Sequence, residues 1–327
     1  MRTKILKANR QAIAKAAKIL KNNGIVAFPT ETVYGLGADA FNAAAVRKVF
    51  AAKGRPADDP LIVHVSSVSD AEKAVKKIPA VGRRLMKKYW PGPLTLVMPK
   101  SKRVPAVVTA GLPTVAVRMP SHPVALALCR AVGPIAAPSA NTFGKPSPTR
   151  AMHVYEDLKG KIPLIIDGGS TDIGVESTIV SLAGKPRLLR PGKITIEQLQ
   201  KFLPDIEIVT KAVKKPLAPG MKYRHYSPKT PVVLVLKPTA RKIAGLVKKE
   251  QGKGKKVGLL CAGRYHAGAE RVIIIGKTPE AFAKRLFEAL RWLDSQKLDV
   301  IIAEGLPEKG FGHAVMNRLR RAASRVI

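Results

Sequence analysis

Six short stretches carry the side chains in this chain that could do chemistry. FPTETVYGLG, Phe28–Gly37, follows a short apolar run and sets Thr30, Glu31, Thr32 and Tyr34 ahead of two glycines. Three hydrogen-bonding side chains and an aromatic ring exceed what a plain turn needs, and they could face a small molecule. In KGRPADDPLIVHV, Lys53 and Arg55 close a helical pattern and His64 lies in the following apolar run. The two cations complement the negative end of a helix dipole. Equally, Arg55 stands before Pro56, which holds it extended and able to reach a phosphate. VAVRMP ends an apolar run on Arg118, which needs an anionic partner, either a structural carboxylate or the carboxylate or phosphate of a ligand. PSANTFGKPSPT offers Ser139, Asn141, Ser147 and Thr149 on a loop stiffened by Pro138, Pro146 and Pro148, an ordinary turn or a polar cradle. GVESTIV places Glu176, Ser177 and Thr178 just before a strand, and LLRPG places Arg190 before a proline. Together these stretches bring Arg, Lys, Ser, Thr and Asn to what reads as one end of one sheet.

The motifs that are absent narrow the chemistry. There is no GxxxxGK[ST] loop, no GxGxxG after the first strand, no HExxH and no paired-carboxylate motif. GFGHAV, residues 310–315, opens a helix on two glycines and reads as structural. Chemistry here would rest on cations and hydrogen-bond donors rather than on a strong general base, an inventory that suits phosphoryl or nucleotidyl transfer.

These residues must be positioned by a mixed α/β scaffold. Ala12, Ile13, Ala16, Ala17, Ile19 and Leu20 recur at helical spacing over 9–21, Gly24 stops that helix, and a strand runs to Phe28. Residues 43–52 read as a second helix. Apolar runs at 61–65, 94–98, 114–119, 134–138, 163–167 and 177–182, with helices between several of them, predict a mixed sheet. This first domain is expected to span 1–208. Residues 209–230 read as a proline-rich linker, yet one carrying Tyr223, Arg224, His225 and Tyr226, a cluster that should touch something. Strands at 231–236, 256–263, 271–276 and 299–307 alternate with helices over 231–327, which predicts a small parallel sheet of Rossmann type.

Composition sets the outer bounds. The chain has 327 residues, 46% of them apolar, enough for two cores. No apolar run approaches the ~20 residues of a membrane helix, and no secretory h-region opens the chain, so a cytoplasmic protein is expected. Cys129 and Cys261 fit no zinc spacing or disulfide framework and read as reduced, buried thiols. Lys and Arg number 58 against 22 acidic residues, a net charge of +36. That surface attracts polyanions, so affinity for tRNA or other RNA is expected, although a diffuse excess marks no specific nucleic-acid site.

Taken in order, PTETVYGLG, KGRP…PLIVHV, WPGPLTLV, VAVRMP, APSAN, SPT, ESTIV, LRPG and PGMKYRHYSP resemble the Sua5/YrdC/YciO family, and specifically its two-domain Sua5 form; AVMNRLRRAA at 314–323 resembles the end of the Sua5 domain. The resemblance covers nearly the whole chain. It implies a YrdC-like twisted mixed sheet with helices, followed by a smaller Rossmann-like Sua5 domain. It further implies an enzyme that condenses L-threonine, bicarbonate and ATP to threonylcarbamoyl-AMP and pyrophosphate. The product serves the t6A modification at position 37 of tRNA, through a separate tRNA threonylcarbamoyl-transfer machinery. The family's Lys-x-Arg…Ser-x-Asn signature falls on Lys53, Arg55, Ser139 and Asn141 as catalytic residues. The resemblance further places Asp59, Thr114, Ser147, Arg190 and Tyr226 at ATP, with Tyr226 closing over the nucleotide from a linker that acts as a lid. It places Thr32, His64, Arg118, Ser139 and Ser177 at threonine. Mg2+ would arrive on the ATP phosphates, with no dedicated protein site.

Two positions depart from the family pattern. Asp59-Pro60-Leu61 stands where Asn-Pro-Leu is common, and an acid there could repel the triphosphate or bind Mg2+; Phe143 stands where a small serine is common. Rival readings are a non-catalytic double-stranded RNA or tRNA binder, motivated by the charge, and a carbamoyl-adenylate enzyme of hydrogenase maturation, which would carry paired CxxC segments that this chain lacks.

Overall fold

In the computed structural model, which describes residues 1–209, 225–263 and 268–327, the chain forms two compact units. The first comprises Met1–Phe143, Pro148–Asp172 and the described part of Glu176–Tyr223. The second comprises Gly144–Ser147, Ile173–Val175 and the described part of Arg224–Ile327. The expected lid segment falls largely on 210–224, outside the described residues.

In the first unit the described strands are β1 (Lys4–Lys7), β2 (Val26–Phe28), β3 (Gly35–Asp39), β4 (Ile62–His64), β5 (Leu94–Pro99), β6 (Thr114–Arg118), β7 (Ile135–Ala136), β8 (Leu164–Asp167), β9 (Thr178–Ser181), β10 (Arg187–Arg190) and β11 (Glu207–Ile208). They form one mixed sheet in the order β1-β8-β2-β3-β7-β4-β6-β5-β9-β10-β11. Strand alternation sends Leu36, Ala136, Val63, Val117, Leu96 and Val180 to one face, beneath helices Ala43–Lys53, Ala80–Tyr89 and Ala151–Leu158. The other face is covered at one side by helices Arg10–Lys21 and Pro123–Val132, which pack on Val26, Phe28, Ile135 and Leu164. Farther along that face lies a smaller apolar floor of Ile62, Val97, Ala116, Ile179 and Leu189.

The helices begin where their sequences supply caps. Asn9 Oδ1 accepts from the Ala12 amide at 2.8 Å, and Asn42 Oδ1 accepts from the Ala45 amide at 3.0 Å. Helix Ala43–Lys53 ends on Gly54, whose left-handed φ of 63° releases the chain toward Arg55. The two glycines that close the PTETVYGLG stretch do not end the sheet, because GLGAD is β3. Its Gly37 is required by close approach: a Cβ there would lie 2.5 Å from Ile135 and 2.7 Å from the Phe28 ring.

The second unit holds β12 (Val232–Val235), β13 (Val257–Cys261), β14 (Arg271–Ile274), β15 (Val300–Glu304) and β16 (Arg325–Val326), in the order β14-β13-β15-β12-β16. Every pairing is parallel, which is the Rossmann-like arrangement expected. Helix Ala240–Gln251 buries Ile243 and Val247 against Val235, Val257, Leu259 and Ile302.

Candidate active site

The site begins with a single rung of the first sheet. His64 at the end of β4 pairs with Arg118 at the end of β6 and with Ile135 of β7. Leu96 pairs with Val117 in the antiparallel β5–β6 register, which sets Thr95 opposite Arg118. Thr95 pairs with Ile179, and Ile179 with Arg190. One row on one face thus carries His64, Arg118, Thr95 and Arg190, beside the apolar floor.

Each of these groups is buried and held. Arg118 donates from Nε to Gly92 O at 3.2 Å and from Nη1 to Thr32 Oγ1 at 3.0 Å, and its Nη2 lies 2.7 Å from Glu31 Oε1. Of the anionic partners foreseen for Arg118, the structure supplies a structural carboxylate, Glu31. Ser177 Oγ and Thr95 Oγ1 are 2.7 Å apart; Arg190 donates from Nε to Ser177 O at 3.0 Å and from Nη2 to Ser177 Oγ at 3.1 Å. His64 is pushed down to about 3, by burial first and by the Arg118 charge second, so its imidazole is neutral at pH 7. Its Nδ1 is buried without a hydrogen-bond partner among the described residues.

The PTETVYG turn builds part of this row, though not with every residue. Thr30 Oγ1 donates to Val33 O at 2.6 Å, accepts from the Thr32 and Val33 amides, and lies 2.9 Å from Thr32 Oγ1. Tyr34, one of the groups that could face a small molecule, is fully buried. Its hydroxyl donates to Gly169 O at 2.7 Å and accepts from the Gly168 amide at 3.1 Å, and burial pushes its pKa up. It holds the turn to the chain after β8.

A second cluster sits where β4 and β6 begin. Lys53 Nζ donates to Ser139 O at 2.5 Å and Asn141 O at 2.6 Å, so the lysine clasps the loop after β7. Arg55 donates from Nε to Asp59 O and from Nη2 to Pro60 O, both at 3.0 Å, and its Nη2 is 2.9 Å from Asp59 Oδ2. Asp59, the departure from the family pattern, is thereby an ion-pair partner of Arg55. Phe143, the other departure, has its ring 6.0 Å from the Arg55 guanidinium carbon. Thr114 opens β6 at this same end, since β4 and β6 are parallel. Its Oγ1 is buried without a hydrogen-bond partner among the described residues.

Strand direction refines the expectation of one sheet end. β7 runs antiparallel to β4, so its loop with Ser139 and Asn141 emerges opposite to His64 and Arg118. The groups sort to two ends of β6, separated by the four steps from Thr114 to Arg118, about 13 Å at ~3.3 Å per residue. Lys53, Arg55, Asp59, Thr114, Ser139 and Asn141 stand toward one end and His64, Arg118 and Ser177 toward the other; the PTETVYG turn links the two, since Gly35 bridges Ser139, the Ala140 amide donates to Tyr34 O, and Thr32 accepts from Arg118. Arg190, foreseen with the nucleotide group, packs on Ser177 in the second group. Ser147 and Tyr226 belong to the second unit. There Tyr226 is buried, its ring stacked on Phe287 at 5.1 Å and capped by Arg318 at 5.8 Å. Sequence reasoning missed Thr95; the only signal was one polar residue inside the apolar run LTLVM. Cys129 and Cys261 are free and buried, and burial pushes the Cys261 thiol up to about 12.

Comparison with known proteins decides the family. Residues 18–192 match the Sua5–YciO–YrdC family model, described as telomere recombination, and residues 194–324 match the model of the threonylcarbamoyl-AMP synthase C-terminal domain. The chain belongs to the Sua5/YrdC/YciO family. Its two-domain relatives extend over almost the full length. A Pyrococcus abyssi protein named threonylcarbamoyl-AMP synthase is 53% identical over 94% of this chain and 93% of its own. A Bacillus subtilis protein of the same name is 49% identical over 98% and 96%. Among solved structures, P. abyssi Sua5 complexed with L-threonine superposes with a TM-score of 0.96 at 50% identity, covering 100% of this chain and 99% of that one. The YrdC-like and Sua5-type architecture inferred from the motifs is thus the architecture of this Sua5/YrdC/YciO member.

Proposed function

We propose that this protein is an L-threonylcarbamoyladenylate synthase, a nucleotidyltransferase. The observation that carries the reading is the buried Arg118 rung: a cation beside the Thr32 hydroxyl and a neutral, unmatched His64 suits an amino acid bearing a carboxylate and a hydroxyl. The names of the P. abyssi and B. subtilis relatives, and the L-threonine in the P. abyssi structure, support it.

Threonine sits at the Arg118 end, its carboxylate on Arg118 and its polar groups near Thr32, His64 and Ser177. Ser177 is oriented by Thr95 and Arg190. ATP lies toward the Lys53 end, as its Mg2+ complex, with Arg55, Asn141 and Thr114 within its reach and Ser139 on the loop that Lys53 clasps. The threonine amine and bicarbonate form the carbamate and water. The carbamate oxygen attacks the α-phosphorus and pyrophosphate leaves. That nucleophile is already anionic, so no strong base is needed, and fixed cations stabilise charge developing on the phosphates. Nucleotide roles for Ser147 and Tyr226 are part of the same proposal. The product passes to a tRNA threonylcarbamoyl-transfer machinery in the cytoplasm; no helix among the described residues is long and apolar enough to cross a membrane.

RNA affinity is a secondary proposal. No acidic residue occurs from Lys73 through Tyr155, and helix Ala80–Tyr89 exposes Arg83, Arg84, Lys87 and Lys88 along one stripe. The deciding experiment is pyrophosphate release from Mg·ATP with threonine and bicarbonate omitted in turn. Release that needs both is the expected result. Release with neither, or none at all alongside tight tRNA binding, would overturn the synthase reading.

A further inference from the structure

Resting on the threonine reading above, we infer that Glu31 is a specificity-determining residue of the amino-acid end: its Oε2 takes the substrate's α-ammonium while Arg118 takes the α-carboxylate. Glu31 is 5% exposed. Its Oε1 is ion-paired with Arg118 at 2.7 Å, and both of its buried oxygens lack a hydrogen-bond partner among the described residues, so Oε2 has neither an ion-pair contact nor a donor there. A buried carboxylate oxygen without a donor is costly, and such groups point to a ligand or a strained function. Arg118 donates hydrogen bonds to Gly92 and Thr32, while its Nη2, 2.7 Å from Glu31 Oε1, has no hydrogen-bond partner among the described residues, which leaves N–H donors for a second carboxylate. A zwitterionic amino acid carries its ammonium and carboxylate on one carbon. An arginine and a glutamate 2.7 Å apart present the two complementary charges side by side. After carboxylation the nitrogen still carries one N–H, so Oε2 keeps a donor in the carbamate.

The competing account is that the pair only ties the Thr30–Tyr34 turn to β6. The two accounts separate on a substrate analogue lacking nitrogen. The probes are L-threonine and (R)-3-hydroxybutyrate, the same skeleton without the amine, the latter measured as an inhibitor of threonine-dependent pyrophosphate release. Glu31→Gln should weaken threonine about ten- to a hundred-fold, the range for a charge-assisted contact, while changing the hydroxybutyrate inhibition constant less than ~3-fold. Equal weakening of both would show that Glu31 merely props Arg118, and unchanged threonine affinity would remove it from recognition; either overturns the inference. If Glu31→Gln fails to fold, the wild type still decides. Threonine should bind at least ~10-fold more tightly than hydroxybutyrate, and equal affinities would overturn the proposal. Pyrophosphate release that does not depend on threonine in the wild type would instead sink the threonine reading itself.

Discussion

Acidification from pH 6.5 to 5 should cost the first unit about 2 kcal/mol through His64 alone. The side chain is buried, and burial, reinforced by the Arg118 charge on the same rung, pushes its pKa down to about 3. A histidine in the unfolded chain titrates near 6.5. Below that pH the unfolded state takes up a proton that the folded state refuses until about pH 3. The His64 contribution is therefore complete above pH 6.5 and is lost progressively as pH falls through the window from 6.5 to 3. Integrating one proton from pH 6.5 to 5 gives the stated ~2 kcal/mol. Carboxylates with depressed pKa, such as Glu250 at about 2, contribute only below their unfolded value near 4.5 and leave this range clean. His122 is also lowered, by burial against opposing Glu31 and Asp172 charges, and shares the window. The test is therefore a difference between wild type and His64→Gln. Urea unfolding would follow Trp90 of the first unit in a Trp292→Phe background, since these are the chain's two tryptophans. The wild type should lose ~2 kcal/mol more than the variant between the two pH values. Parallel pH profiles would refute the neutral-imidazole argument, and so would a threonine affinity that breaks between pH 6 and 7 in the wild type and not in the variant.

Three further outcomes are expected. Lys53→Met removes the cation that clasps Ser139 O and Asn141 O and should cost ~3 kcal/mol, with at least a tenfold loss in kcat/KM for ATP; wild-type stability in urea would contradict the clasp. Arg118→Lys should raise the threonine KM ~10- to 100-fold with little change for ATP, and Arg55→Ala the reverse. Equal effects of both variants on both substrates would dissolve the two-end division. Tyr226→Ala, which removes a buried ring from Phe287 and Arg318, should destabilise the second unit by ~3–5 kcal/mol, whereas Tyr226→Phe stays within ~1 kcal/mol, both read from Trp292 fluorescence. If Tyr226→Ala unfolds at the wild-type urea midpoint, the stacking carries no weight.

Much of this scaffold is legible in one dimension. Runs such as LTLVM and TVAVR announce buried strands, and Asn9 and Asn42 announce their helices. What escaped detection has physical causes. β1, Lys4–Lys7, exposes a lysine at each end of a four-residue edge strand and gives no apolar run. β3 is hidden because its glycines normally break strands, whereas here Gly37 is demanded by Ile135 and the Phe28 ring. The candidate residues themselves were named from sequence, but their grouping was not, because it depends on strand direction. Nothing in PIAAP says that β7 runs against β4, and that single fact sends the loop carrying Ser139 and Asn141 to the start of β4, beside the PTETVYG turn. Glu31 and Arg118 stand far apart in the chain, so their pairing follows only from the closed sheet.

That pairing is also the least economical feature of the site, which is informative. Desolvating two charges consumes most of what their attraction returns, and well-packed apolar replacements of such pairs are often neutral or stabilising. Nor is the pair needed to close its turn. Thr30 already bridges to Val33 O, the Tyr34 amide donates to Pro148 O, Ala140 N donates to Tyr34 O, and the Tyr34 hydroxyl is anchored at Gly168 and Gly169. Glu31 with Arg118 and Arg55 with Asp59 are charge pairs kept at nearly full burial among the described residues, one toward each end of β6. Stability alone gives no reason for a cation to stand at both ends of one strand beside an apolar floor. Two substrates that bring a carboxylate to one cation and phosphates to the other do give one, and the proposed pair of an amino acid and a nucleoside triphosphate supplies both kinds of anion.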